Sequence, residues 1–270
     1  MSESDSAKPT QQSQGSQGAQ GARGASSSPK PVDLQALVKT VQFAWFVGHV
    51  LALVGSFFYL LFSLRIFKSP SFPKFWYREA YVAIIFTFSI ILNQTYRSKP
   101  LTVQALLRDD NCHYIFLAFL WLFSRPSFFT LPPFLVFSLF HVLTYLRSYL
   151  LPALGHGSSS PLSAQIGHFV TGYNDRFMML AASIECLQFV RLLFRVFTFR
   201  KGTLVQFIIY VGFMKLRYDN SMFTRTIVKQ YEVRIDSLLA NPAVPPVVRN
   251  GWISFKNSLA QVFGGHRAAN

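Results

Sequence analysis

Acidic residues are scarce in this 270-residue sequence: 11 Asp and Glu stand against 26 Lys and Arg, and only 14% of residues are charged, about half the usual quarter. Cysteine is scarcer still. Cys112 and Cys186 lie in or beside apolar segments, with no CxxC and no histidine at ligand spacing. That excludes a disulfide scaffold and leaves both as small buried hydrophobes. Catalytic signatures are missing too: there is no HxxxH pair, no GxSxG, no Walker lysine loop and no GxGxxG. No cofactor and no metal are expected. No short basic start with an apolar core appears before residue 41, which argues against a cleaved signal peptide and makes the first apolar run an uncleaved anchor.

Long apolar runs are what the sequence has in quantity. Half of it (51%) is hydrophobic, with 29 Phe. Between Lys39 and Arg65 lie 25 residues without a charge, about 37 Å as a helix against a hydrocarbon core of ~30 Å. The expected fold class is all-α: a polytopic membrane helix bundle of four to six membrane segments, some short or hairpin-like, followed by carboxy-terminal amphipathic helices. The net charge of +15 would suggest nucleic acid in a soluble chain. Here the cations flank apolar segments, where they meet the lipid bilayer and its anionic headgroups, and no nucleic-acid partner is expected.

Three regions follow from composition. Residues 1–31 are a Ser, Gln, Gly and Ala tail (QQSQGSQGAQGARGASSSPKP) that buries too little apolar surface to fold. Residues 32–214 hold the membrane domain. Its first span covers 41–64, and a basic connection broken by Pro70 and Pro73 leads to a second over 80–96, whose 17 uncharged residues sit at the lower limit for crossing. Apolar stretches at 112–123 and up to 145 are either two helices meeting at a proline-rich turn, the favoured reading, or a hairpin that enters and leaves the membrane by one face. Residues 147–175 read as a looser connection. A mixed basic and apolar stretch over 191–217 suits a helix at headgroup level.

Residues 215–270 form a basic tail with two amphipathic helices. Over 222–239, Phe223, Ile227, Tyr231, Ile235 and Leu238 recur every three or four residues, with Arg225 and Lys229 largely on other faces. Over 247–263, Val248, Trp252, Phe255, Leu259 and Phe263 share a stripe opposed by Arg249 and Lys256. Either stripe can pack on the membrane domain or enter a membrane surface, and the second, aromatic on one side and cationic on the other, fits the surface better. Eight Lys or Arg after residue 214 against three acids favour a cytosolic carboxy terminus.

Two groups invite a chemical reading. Asp109, Asp110 and His113 are the one acid–histidine cluster. A carboxylate at 109 or 110 and the imidazole at 113 share a helix face, as a metal site would need. They read better as two acids beginning a helix, favoured by its dipole, with His113 at the interface. Glu185 is the one acid inside an apolar stretch, and intramembrane acids are functional candidates by default. No basic residue lies three or four positions away, so a partner must come from another helix, with Arg147 or Arg176 available.

The order of ALLRDDNCHYIF (105–116), FSLFHVLTYLRS (137–148), QFIIYVGFMKLRY (206–218) and LLANPAVPPVVR (238–249) resembles the transmembrane protein thirty-three family, which includes the pore-membrane nucleoporin of yeasts and endoplasmic-reticulum-shaping relatives. The resemblance covers roughly 35–255. It implies a multi-spanning, non-enzymatic protein of the endoplasmic reticulum and nuclear envelope, reticulon-type and nuclear pore partners, and a tail that touches membranes. The residues themselves leave a transporter or lipid-handling enzyme built on Glu185 with Asp109, Asp110 and His113, an adaptor whose basic tail binds a soluble receptor, and a homo-oligomer as open alternatives.

Overall fold

The computed structural model describes residues 34–64, 71–157, 160–199 and 202–263, with the side chains of Val262 and Phe263 excluded. The polar tail over 1–31, Arg65 and Lys68 of the first connection, and the Phe263 side chain therefore lie outside the described residues. Every regular element among them is a helix.

A short α1 (Leu34–Val38) leads into α2 (Val41–Ser63, 23 residues). The Thr40 hydroxyl accepts from the Phe43 N–H at 3.1 Å, the usual way to satisfy a first-turn donor. Helix α3 (Ser71–Tyr96) has 26 residues, so the second crossing is longer than the apolar run alone suggested. Pro73 does not break it, because a first-turn residue has no intrahelical N–H bond to lose. After α4 (Val103–Arg108), α5 (Asp110–Leu122) starts at Asp109, whose carboxylate accepts from the Asn111 N–H at 2.9 Å. A 3₁₀ turn at Phe128–Thr130 leads to α6 (Pro132–Tyr145), which continues through a π turn (Leu146–Leu150) into α7 (Leu151–Ala153).

Helix α8 runs over Pro161–Phe197, 37 residues, and overturns the loose connection expected to 175. Ser160 caps its start and Pro161 occupies the first position, both start signals. The polar residues of its first turns hid them from a hydropathy reading. Helices α9 (Thr203–Asn220), α10 (Met222–Leu239) and α11 (Pro246–Phe263) complete the chain.

Four of these rods are long and apolar enough to cross a membrane: α2, α3, Pro132–Ala153 and α8. Side-chain pairs give their directions. Tyr59 meets Tyr77 at 5.1 Å and Gly48 faces Thr87, so α2 and α3 are antiparallel. Phe46 stacks on Tyr145 and His49 is hydrogen-bonded to Ser138 at 3.0 Å, so α2 and α6 are antiparallel too. Hence α3 and α6 point the same way, and the 13-residue α5 between them must return the chain. Helix α8 opposes α6, with Phe140 against Phe177 and Arg147 over Gly167. Helix α9 opposes α8, with Phe189 against Phe207 and Glu185 level with Tyr210. The start of α2 and the end of α9 therefore share one end of the bundle.

Aromatic side chains dominate the main core: Tyr77, Tyr81, Tyr114, Trp121, Phe134 and Phe213 pack there with Leu and Ala. Others, including Phe57, Phe86, Phe116 and Phe194, face outward, as expected where lipid is the solvent. Small residues let α2 approach α3. A Cβ on Gly48 would sit 2.5 Å from Thr87 Cγ2, whose rotamer is held by a 2.8 Å bond from its hydroxyl to the Ile84 carbonyl. Gly48→Val is therefore expected to destabilise the pair by about 1–3 kcal/mol, read as a lowered melting temperature in detergent.

Candidate functional site

Arg217, near the end of α9, is only 3% exposed. Its Nη1 lies 3.1 Å from Asp110 Oδ1 and its Nε 3.5 Å from Glu185 Oε2. The guanidinium carbon stands 5.1 Å over the Tyr114 ring, while the Tyr114 hydroxyl donates to Glu185 Oε1 at 2.5 Å. Tyr210 donates to the Glu185 main-chain carbonyl at 3.0 Å. The His113 Nε2–H donates to the Leu107 carbonyl at 2.9 Å, and its Nδ1 lies 3.6 Å from Asp110.

The structure thus brings Asp110, His113 and Glu185 together, and Asp109 apart from them, since Asp109 serves α5 as its cap. It also corrects the expected partner of Glu185. Arg147 lies over Gly167 and Arg176 over the Tyr173 ring; the cation that reaches Glu185 is Arg217. A signal for it was available. Tyr210, Phe213, Met214 and Arg217 are the buried face of α9, spaced as one helical stripe, whereas Lys215 lies off that stripe and pairs with Asp219. Chemically the cluster spends its charges on itself, joining α5, α8 and α9. Among the described residues no three His, Cys, Asp or Glu are grouped to hold a metal.

In the tail, Phe223, Ile227 and Tyr231 meet the main core, with Ile227 buried and the other two partly so. Ile235 is half-buried. This half of the stripe is covered by protein in the structure. Arg225 donates to the Tyr218 and Asp219 carbonyls at 3.0 and 2.8 Å, and Arg249 to the Leu239 carbonyl at 3.1 Å. Each arginine caps the helix before its own, where a cation meets the negative end of the dipole. Lys256 reaches both Asp236 oxygens at 2.9 Å and Glu232 at 3.4 Å, and the Trp252 indole N–H donates to Asp236 at 2.7 Å. Lys229 is exposed. On α11, Val248 is 52% and Phe255 39% exposed, with Trp252 and Leu259 half-buried beside them.

The hydrogen bonds from Lys256 and Trp252 hold Asp236 below the usual carboxylate range, and Asp236 in turn raises Lys256. A lowered carboxylate contributes stability above its unfolded pKa and loses it as pH falls through the folded value; a raised lysine contributes below its unfolded pKa and loses it as pH rises. The α10–α11 contact is therefore at full strength between about pH 4 and pH 10. The Trp252 indole N–H resonance is expected to titrate with a midpoint below the ordinary carboxylate range, because Lys256 and Trp252 hold Asp236 ionised, and Asp236→Asn to abolish that titration.

A family model described as Transmembrane protein 33/Nucleoporin POM33 matches residues 25–262. The Pore membrane protein of 33 kDa of Saccharomyces cerevisiae is 35% identical over 246 residues, 84% of this chain and 85% of its own length. Tetra-spanning protein 1 of Schizosaccharomyces pombe is 36% identical over 251 residues, 86% and 88% of the two chains. The Pore and endoplasmic reticulum protein of 33 kDa of Saccharomyces cerevisiae is 31% identical over 258 residues, 85% and 93%. No solved structure matches the chain.

Proposed function

This chain belongs to the transmembrane protein 33/nucleoporin POM33 family, and from that premise we propose that it is a non-enzymatic, multi-pass protein of the endoplasmic reticulum and nuclear envelope that shapes or stabilises curved membrane. In this role it supports the tubular network and the assembly or distribution of nuclear pores, with reticulon-type and nuclear pore proteins as partners. The relatives whose names place them at pores and in the reticulum support the address.

The observation that carries the mechanism is the outward apolar face of α11, where Val248 and Phe255 stand exposed beside Trp252 and Leu259. An amphipathic helix that sinks this face between headgroups adds area to one leaflet, and unequal leaflet area favours curvature. The carboxy terminus lies on the cytosolic side in this reading. Lys229, with Arg225, Arg249 and Lys256 as their present bonds are exchanged, supplies attraction to anionic lipid. The cluster of Asp110, Glu185 and Arg217 serves as an internal clamp, which speaks against a transporter or lipid-handling enzyme using those acids.

Reconstitution of the full chain into large vesicles tests the reading. With rising protein content, electron cryomicroscopy is expected to show tubules and smaller vesicles, and a chain ending at Asn241 is expected to show fewer. Vesicle diameters unchanged by the full chain would overturn it.

A further inference from the structure

At the end of the bundle away from Arg217, the turn that follows α5 meets the last turns of α8 and the start of α9. They enclose a cavity of about 60 Å³, room for a tetrahedral oxyanion and too small for a sugar ring. Arg125, Arg191 and Arg195 line it, with Gln188 and Gln206, and among the described residues no carboxylate lines it.

The polar groups there are donors in excess. Gln188 is 2% exposed. Its carbonyl oxygen accepts from Arg191 at 3.0 Å, while its amide nitrogen is buried with no acceptor. The Arg195 Nε is likewise buried without an acceptor. Among the described residues neither Arg125 nor Arg195 joins an ion pair. A buried donor left without an acceptor costs more than a bond gains, and an anionic oxygen supplies the strongest acceptor. The wall is set before any ligand arrives: Gln206 donates to the Ser124 hydroxyl at 2.9 Å, and Arg191 is fixed over the Phe129 ring at 5.3 Å.

A second feature identifies the kind of anion. Arg191 and Arg195 also edge an open groove along α8 walled by Phe129, Leu187, Val190 and Phe194, and these four are exposed. A polar, cationic chamber thus continues into an apolar channel on the lipid-facing side of a candidate span. We propose that this is a binding site for an anionic glycerophospholipid, its phosphate held by Arg125, Arg191, Arg195 and the Gln188 amide and one acyl chain laid in the α8 groove. Basic pockets between membrane helices recognise lipid headgroups by this chemistry. The site does not depend on the curvature reading, since it sits at the other end of the bundle from the tail.

The test uses the purified full chain in an uncharged detergent, with melting temperature followed against dioleoyl phosphatidic acid in one arm and inorganic phosphate in the other. Phosphatidic acid is expected to raise the melting temperature, and inorganic phosphate at the same concentration to leave it unchanged. Arg125→Gln and Arg195→Gln are each expected to weaken the lipid response about fivefold, their lipid-free melting temperatures serving as the folding control. Leu187→Ser, in the groove and outside the chamber, is expected to weaken it as well. Equal stabilisation by inorganic phosphate would overturn the lipid assignment. A lipid response unchanged in a folded arginine variant would overturn the site.

Discussion

Arg217→Ala is expected to destabilise the bundle by about 3–5 kcal/mol, the range for stripping one partner from a buried ion pair. Glu185, 1% exposed, would lose the guanidinium that faces it, Asp110 would lose its 3.1 Å contact with Nη1, and Tyr114 would lose the cation above its ring. The consequence extends to the tail, because Arg217 Nη2 also donates to the Ser221 hydroxyl where α9 gives way to α10. A triple change, Arg217→Met with Glu185→Gln and Asp110→Asn, removes every charge of the cluster and is expected to recover most of the loss, since buried ion pairs add little over apolar packing. Thermal unfolding in detergent reads both. An Arg217→Ala protein as stable as the native one would show that the clamp holds nothing.

The second large effect concerns the tail, and its sign depends on which contacts are cut. Asp236 holds Trp252 and Lys256 against α10. These pairs are exposed, so breaking them costs the fold little. Asp236→Asn with Glu232→Gln should free one lysine and one indole, and a freed cation near an anionic surface is worth about 1 kcal/mol, or about fivefold in binding. The double variant is therefore expected to protect the tail of the reconstituted full chain from protease more strongly in anionic vesicles, the gain shrinking with salt. Trp252→Glu with Phe255→Glu is expected to abolish protection. If the two pairs of changes act in the same direction, the surface-binding role of α11 is wrong.

Part of this architecture was legible in the residues. The charge-free run after Lys39 could only be a long helix in an apolar setting, and α2 follows it. The start of α3 was obscured because Arg78 and Glu79 interrupt the apolar run, although charge near a membrane face does not end a helix. The start of α8 was obscured by Gln165, His168, Asn174 and Asp175, which dilute hydropathy without breaking helical structure. The partner of Glu185 left no mark on the spacing around Glu185 itself, because the pair joins two different helices. Its one trace was the stripe of Tyr210, Phe213, Met214 and Arg217 on α9, which turns Arg217 inward without saying what it meets. In the tail, periodicity told which side chains share a stripe and nothing of what covers it. That Phe223, Ile227 and Tyr231 meet protein while Val248 and Phe255 face outward is decided by where α9 delivers the chain.

An isolated tail would uncover Ile227 and bind membranes for a reason the whole protein lacks. The direct measurement therefore keeps the full chain. A nitroxide placed by Val248→Cys, with Cys112 and Cys186 both buried, reports depth on the outward face of α11. The chain is reconstituted in anionic vesicles of small and large diameter, and collisions of the label with oxygen and with a water-soluble nickel chelate are compared. A wedge requires the label to lie below the headgroups, and deeper in the small vesicles. A label that stays in water at both diameters would contradict the account.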